Sequence, residues 1–414
     1  MVIENIIRKI WDEEYQLYLD ECEKSRSIDE DCLFEICKKD VLALNEKPYK
    51  SKEHTLTIME TIGCQYQMRG NGISGCSFCN WDSKRIKELA RLYVLKGKNE
   101  EKYAQIIRFS FTRIRGERCN PSLIEQLSVH DIFNKNQFPL CAYKDMFEDY
   151  SVYRKRPEWG IISARADQVT AERVLMWKKA FKRGLTIGIG IECGNNWIRN
   201  HFLNKNISNQ QIKSAVEIIQ SQGCKVCANI LLGMPGLSEE SGLAIFYDTC
   251  NFVVNELNVD YVLISPLINK EKTIGILCNE NQRSISSDLL INAVVGLQER
   301  YSKQLNKVTF SPDNLDLMLK GKEGNELKMV QNLFSIIDNL GTVYTSLNGY
   351  YGIQEIMKYS KIIKLASLEE ITQDMKRCIR TVAGKLGMNE IEVEKAFEEE
   401  LSQMKIRGNY HGIS

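Results

Sequence analysis

The stretch Gly63-Cys64-Gln65-Tyr66-Gln67-Met68-Arg69-Gly70-Asn71-Gly72-Ile73-Ser74-Gly75-Cys76-Ser77-Phe78-Cys79-Asn80 decides how the rest of the chain is read. It sets three thiols at C-x11-C-x2-C spacing in a glycine-rich loop, directly after the alternating run Thr55-Leu56-Thr57-Ile58-Met59, which predicts a strand. No histidine lies near enough in sequence to act as a fourth ligand. Cys64, Cys76 and Cys79 therefore suit an iron-sulfur cluster with one iron left open, since a closed cluster or a structural zinc site takes four protein ligands. An open iron can chelate the amino and carboxylate groups of S-adenosylmethionine and hold its sulfonium where an electron reaches it. Gly70, Gly72 and Gly75 give the backbone the freedom to wrap an inorganic core. The same spacing also accommodates a zinc knuckle with a distant fourth ligand, or three structural cysteines.

At 414 residues the chain exceeds one average domain, but α/β barrels commonly use about 250 residues as one unit. Hydrophobic content of 43% and charged content of 26% suit a globular protein with a sizeable core, not a disordered one. With 55 basic against 54 acidic residues there is no global field for polyanions, so nucleic-acid binding would need a local basic patch. The N-terminus has no secretion pattern and no run approaches a membrane span, which predicts a cytoplasmic protein without membrane association. Fourteen cysteines in that setting read as reduced thiols and cluster ligands, not as a disulfide framework.

Three regions follow from the hydrophobic pattern: a helical extension over 1–50, a barrel over 51–270, and a mainly helical region over 271–414. Cys22, Cys32 and Cys37 lie irregularly on amphipathic helices of the first region and read as packed thiols. After the cysteine loop a helix is expected over 83–96, followed by strands over 106–112, 159–165, 185–193, 225–233 and 261–265, with helices over 171–183, 210–222 and 239–257. With the strand before Cys64 this makes six parallel strands, and the fold class is α/β: a partial (β/α)6 TIM-like barrel with N-terminal and C-terminal helical extensions. Residues 121–158 exceed one crossover and predict a helix with an insertion. Farther on, helices are expected over 287–301, 327–339 and 368–404, and a strand at 307–310.

These residues resemble radical S-adenosylmethionine enzymes, in particular the branch that includes the catalytic Elongator subunit and the radical subunit of archaeosine synthase. That branch widens the cysteine loop, as here. Ile189-Gly190-Ile191-Glu192-Cys193-Gly194-Asn195-Asn196, continued by Ile198-Arg199 and Asn204-Lys205, is similar to its fourth-strand segment. Ser163-Ala164-Arg165-Ala166-Asp167-Gln168-Val169-Thr170 is similar to the third-strand segment, and Ile230 to Glu239 to the fifth. Departures are Ser163-Ala164 where an acid precedes the arginine, Ala166 for proline, and Gly233 for lysine.

The resemblance implies a [4Fe-4S] cluster on Cys64, Cys76 and Cys79, S-adenosylmethionine on its open iron, and hydrogen abstraction by a 5′-deoxyadenosyl radical. It also implies an electron donor such as flavodoxin or ferredoxin. Cofactor contacts are expected from four residues. Glu192 would bind ribose hydroxyls or the methionine ammonium, with a structural ion pair as the alternative. Arg165 would take the cofactor carboxylate, or else make a barrel-rim salt bridge. Thr112, beside Arg113 and Arg115, would follow the second strand. Gly233, like Gly190 and Gly194, would admit close backbone approach to adenosine. Cys119, Cys141 and the Cys224/Cys227 pair carry weaker expectations of thiol chemistry. The substrate reads as a small molecule or peptide in biosynthesis. A tRNA base is the alternative, favoured if Lys96, Lys98, Arg113, Arg115 and Arg118 formed a basic groove, and a non-catalytic iron-sulfur or zinc scaffold or sensor is the third reading.

Overall fold

Thr55 and Thr57 are buried in the strand His54–Ile58, whereas His54 and Leu56 are half-buried and Ile58 is exposed. The same alternation runs through Ile124–Ser128, Trp159–Ala164 and Tyr261–Pro266, whereas Gly184–Glu192 is buried on both faces over most of its length, and the sheet has one face sealed by helices and a concave face left partly open. The computed structural model describes residues 1–44, 49–50, 53–69, 72–80, 85–311, 324, 331 and 360–406.

Among the described residues one sheet of eight strands runs in sequence order: β1 (Tyr49–Lys50), β2 (His54–Ile58), β3 (Ile124–Ser128), β4 (Trp159–Ala164), β5 (Gly184–Glu192), β6 (Lys225–Leu232), β7 (Tyr261–Pro266) and β8 (Val308–Phe310). β1 is antiparallel to β2, and every later pairing is parallel. The α/β partial barrel expected from the sequence is therefore present. Its parallel strands number seven, because β8 pairs with β7 beyond the expected barrel.

The helices are α1 (Val2–Ile10), α2 (Asp12–Arg26), α3 (Glu30–Ala43), α4 (Ile86–Lys98), α5 (Glu100–Arg115), α6 (Leu140–Tyr143), α7 (Ala171–Lys179), α8 (Asn209–Ser221), α9 (Glu239–Asn251), α10 (Ile274–Cys278), α11 (Ser287–Tyr301), α12 (Leu368–Lys385) and α13 (Glu390–Ile406). The strand expected over 106–112 is instead part of α5. Its β-branched and aromatic residues look strand-like locally, but Tyr103, Ile106, Ile107, Ser110 and Phe111 repeat at helical spacing and are all buried. Asn99 caps that helix by accepting from Lys102 N at 3.0 Å. The second parallel strand is β3, where a helix was expected. Its Glu125 is fully buried and hides the alternation, because a strand interior with a carboxylate does not read as apolar. Apart from residue 331, the helix expected over 327–339 lies outside the described residues.

The terminal extensions meet each other and the barrel. Val2 N donates to Glu400 Oε1 at 2.7 Å, and Ile3, Ile6 and Ile7 bury one stripe of α1. In α12, Asp374 accepts from Ser238 N at 3.2 Å and from Ser241 Oγ at 2.6 Å, tying the C-terminal helix to the start of α9.

Candidate active site at the cysteine loop

The cysteine loop leaves the carboxyl end of β2, where a parallel barrel collects its functional groups. Inside the loop, Gln67 N donates to Cys64 O at 3.0 Å, Ser74 N to Gln67 O at 2.8 Å, and Cys79 N to Cys76 O at 3.0 Å. These turns bring the three sulfurs within electrostatic reach of one another. Burial pushes the Cys64 thiol up and Cys76 adds to the shift, while burial and the two neighbouring sulfurs push Cys79 up to about 12. Arg165 opposes the shift at Cys64 and Lys270 at Cys79. Among the described residues no three His, Cys, Asp or Glu side chains converge as the ligands of a single ion.

The loop following β5 braces this set from the opposite side. Asn204, fully buried at φ +53°, donates through Nδ2 to Ser74 O (2.9 Å) and Gly75 O (2.8 Å). Its Oδ1 accepts from Arg69 Nη2 at 2.9 Å, and its backbone carbonyl from Tyr66 OH at 2.5 Å. Ser77 N donates to Leu203 O at 3.0 Å. The brace itself is shaped by Arg199, which is fully buried and donates to Ile207 O (2.8 Å), Cys193 O (2.8 Å) and Asn196 Oδ1 (3.0 Å). Burial pulls its guanidinium down to about 10.

Arg165, immediately after β4, lies over the Tyr66 ring at 3.9 Å and donates to Lys205 O (3.0 Å) and Asp167 Oδ1 (3.1 Å). It thus makes the rim salt bridge and also sits beside the thiols. Glu192 occupies a bulge: β5 pairs Gly190 with Asn229 and then Glu192 with Ile230, and Glu192 adopts φ +64°. The bulge, not simple alternation, aims its carboxylate. The partner is Lys205, at 2.9 Å, rather than the arginine considered from the sequence.

Two sequence expectations are corrected. Thr112 does not follow a strand: it sits in the last turn of α5 and its hydroxyl donates to Phe109 O of the same helix at 3.3 Å. Lys96, Lys98, Arg113, Arg115 and Arg118 do not make one basic groove. Lys96 and Lys98 line a cavity of about 530 Å³ with Arg26, Ile62 and Gln65, whereas Arg115 is buried against Glu125 at 2.8 Å and Arg113 donates to Leu44 O at 2.5 Å. Gly233 ends β6 at φ +89°, and a Cβ there would stand 2.6 Å from Ile285 Cγ2. Cys119 sits beside Arg115 (3.7 Å) and Cys141 against Glu100 O (3.7 Å), away from the loop contacts described above. Cys224 is buried while Cys227 is half-buried toward Asn229 (3.8 Å), the opposed faces expected along a strand. Tyr66, Asn204 and Lys205 emerge as parts of the site. Asn204-Lys205 carried a signal in its motif, whereas nothing in the sequence singled out Tyr66.

The concave face beside this loop mixes polar side chains (Gln126, Ser163, Asn229) with apolar ones (Leu56, Ile161, Leu263). Gln126 joins His54 (3.0 Å), and a Cβ on Gly188 would meet Ser163 Oγ at 3.4 Å and Asn229 Nδ2 at 3.6 Å. Charge is concentrated higher, at Glu192, Lys205 and Arg165.

The residues fit a three-thiolate inorganic group. Gln67 Oε1, Ser77 Oγ and Asn80 Oδ1 are buried in the loop without hydrogen-bond partners among the described residues, alongside thiols whose burial opposes ionisation until a cation compensates it. Fold and site together define a parallel partial barrel with a three-cysteine loop at its strand carboxyl ends. No family model matches the chain. Over 233 residues it is 23% identical to an uncharacterized protein, MJ0550, of Methanocaldococcus jannaschii, covering 54% of this chain and 59% of that relative. The chain thus spans about three fifths of the relative's length. Among solved structures it is similar to a queuine lyase from Clostridium spiroforme bound to SAM and queuine (16% identity, 64% of this chain and 94% of that one, TM-score 0.38). It is also similar to coproporphyrinogen III oxidase (HemN) from Escherichia coli, described as a radical SAM enzyme (11% identity, 65% and 55%, TM-score 0.39). A third similarity is to the radical S-adenosylmethionine methyltransferase TsrM from Kitasatospora setae (11% identity, 74% and 62%, TM-score 0.36).

Proposed function

We propose that the chain is a radical S-adenosylmethionine enzyme whose Cys64, Cys76 and Cys79 hold a [4Fe-4S] cluster. The observation that carries this reading is the set of three neighbouring, half-buried thiols in the loop after β2, braced across the barrel mouth by Asn204. When bound, the cluster and S-adenosylmethionine would supply reductive sulfonium cleavage and a 5′-deoxyadenosyl radical that abstracts hydrogen from the substrate. The protein's own residues bind and orient. Arg165 offers a guanidinium beside the cysteines for a carboxylate, held in place by Tyr66, Asp167 and Lys205 O. Glu192, braced by Lys205, offers a carboxylate for an ammonium or for hydroxyls. Gly190 leaves the room that the Glu192–Lys205 pair occupies, and the surrounding barrel limits water.

The substrate that best suits this concave face is a small molecule combining hydrogen-bonding groups, for Gln126, Ser163 and Asn229, with apolar surface, for Leu56, Ile161 and Leu263. A tRNA base is the second reading, supported by the Arg26, Lys96 and Lys98 rim of the cavity beside Gln65. The test is anaerobic reconstitution with iron and sulfide, then dithionite and S-adenosylmethionine, with assay of 5′-deoxyadenosine. Wild type should form it and Cys76→Ala should not. A chain that binds zinc instead, or a cluster that never cleaves the cofactor, promotes the scaffold reading.

A further inference from the structure

Away from the cysteine loop, two other thiols meet. Cys278 ends α10 and Cys378 lies within α12, far later in the chain, and the two helices pack together. Their meeting point is the Met234-Pro235-Gly236 turn that follows β6. A Cβ placed on Gly236 would stand 2.4 Å from Cys378 Sγ and 3.3 Å from Cys278 Sγ, so both sulfurs crowd one point above that glycine. Gly236, at φ +73°, is what leaves room for them. Cys278 Sγ donates to Gly236 O at 3.5 Å and Cys378 Sγ to Pro235 O at 4.0 Å, so the two thiols sit side by side on the same turn. Both are reduced.

The two sulfurs differ. Cys278 is half-buried and Cys378 is fully buried. The neighbouring Cys378 thiol, with the cations of Arg377 and Lys385, holds Cys278 down at about 7 against burial and Asp374. Burial instead pushes Cys37, Cys193 and Cys227 up to about 12. An accessible, thiolate-prone sulfur backed by a buried second thiol is the arrangement of an attacking and a resolving cysteine.

We propose that Cys278 and Cys378 form a redox-modification site that closes reversibly to a disulfide in response to a peroxide. The Cys278 thiolate attacks one oxygen of hydrogen peroxide, the O–O bond breaks, and hydroxide leaves and is protonated, giving a sulfenic acid at Cys278. The Cys378 sulfur then attacks that sulfur; the S–O bond breaks, and the departing hydroxide takes the Cys378 proton as water. Two thiols lose two electrons and two protons, and one peroxide becomes two waters. A dithiol reverses the reaction by exchange. The bond would staple α12 to α10 across the turn that ends β6, fixing the C-terminal helix against the barrel mouth.

The test uses the full chain, exposed to hydrogen peroxide at about one equivalent under otherwise anaerobic conditions, alkylated, and peptide-mapped. A Cys278–Cys378 cross-link should appear before links among other cysteines and vanish with dithiothreitol. In the reduced protein at pH 7, Cys278 should alkylate about ten-fold faster than the exposed Cys32. In Cys378→Ser a dimedone adduct should accumulate on Cys278; in Cys278→Ser none should form on Cys378. Peroxide that over-oxidises wild-type Cys278 without the cross-link, or alkylation of Cys278 no faster than Cys32, overturns the proposal. The wild-type measurements decide even if a serine variant fails to fold, and none of them depends on cluster chemistry.

Discussion

Glu192 and Lys205 face each other across the bulge at the end of β5, carboxylate to ammonium at 2.9 Å, in space that exists because residue 190 has no side chain. A Cβ at Gly190 would fall 2.7 Å from Glu192 Oε1 and 2.8 Å from Lys205 Nζ. Both obstructed atoms end flexible side chains, so Gly190→Ala should fold and keep its iron while the pair swings apart. Isothermal titration of the reconstituted protein should show S-adenosylmethionine binding about ten-fold weaker, roughly 1.4 kcal/mol. Unchanged affinity would remove Glu192 from the binding site.

Asn204 answers a different question, because it holds the cysteine loop without touching a sulfur in the contacts described. Its Nδ2 serves two carbonyls, those of Ser74 and Gly75. Asn204→Asp keeps a residue that tolerates positive φ and keeps an acceptor for Arg69, yet turns an acceptor toward those carbonyls. The loss should be about 3 kcal/mol or more, and iron and sulfide retained after reconstitution should fall to about half or less. Full retention would show that the loop stands without its brace.

Much of this organisation was legible in the sequence where alternation and motif agree. β4, β5, β6 and β7 read correctly because their buried faces are largely apolar or small, and β2 by its alternation alone, since the residues it buries are Thr55 and Thr57. The failure at α5 and β3 has one cause. Ile106, Ile107, Phe109 and Phe111 are strand-like neighbours on a helix, while Glu125, which a strand pattern would reject, is buried because Arg115, Tyr153 and Ser122 satisfy it. That compensation comes from residues brought together only by folding, so local patterning could not reveal it. Cys378 was illegible for the same reason: on α12 it is one apolar position among several, and its partner comes from α10.

Arg115 was a candidate contact in the sequence; in the fold it forms a buried structural pair with Glu125, with side chains 3% and 0% exposed. Tyr153 OH also donates to Glu125 Oε2 at 3.0 Å and Ser122 N to Oε1 at 2.6 Å. Arg115→Met should cost about 3–5 kcal/mol by stranding the carboxylate, and Arg115→Met/Glu125→Leu should recover part of it. Denaturant unfolding measures both. Iron content of the folded fraction should be unchanged, which separates this pair from the cysteine loop.

Asp131, just beyond β3, carries a pH dependence of its own. It is 2% exposed; Oδ1 accepts from Phe133 N at 3.1 Å and Arg165 N at 3.3 Å, while Oδ2 is buried without a partner among the described residues. Burial pushes its carboxyl up to about 7, with the two N–H groups and Arg165 only partly opposing and Asp167 adding to the rise. Below its unfolded value of 3.8 both states hold the proton and the group is neutral in the balance. As pH rises from there to about 7 the unfolded chain releases a proton that the folded chain keeps, so this residue's contribution to stability falls across that window and levels off above it. The total is on the order of 2–4 kcal/mol. Asp131→Asn, which keeps an acceptor for both N–H groups and cannot ionise, should remove that slope and make the protein more stable than wild type at pH 8. Parallel urea titrations at pH 5 and pH 8 decide it: equal slopes in the two proteins would mean that Oδ2 reaches water or a cation that burial does not reveal.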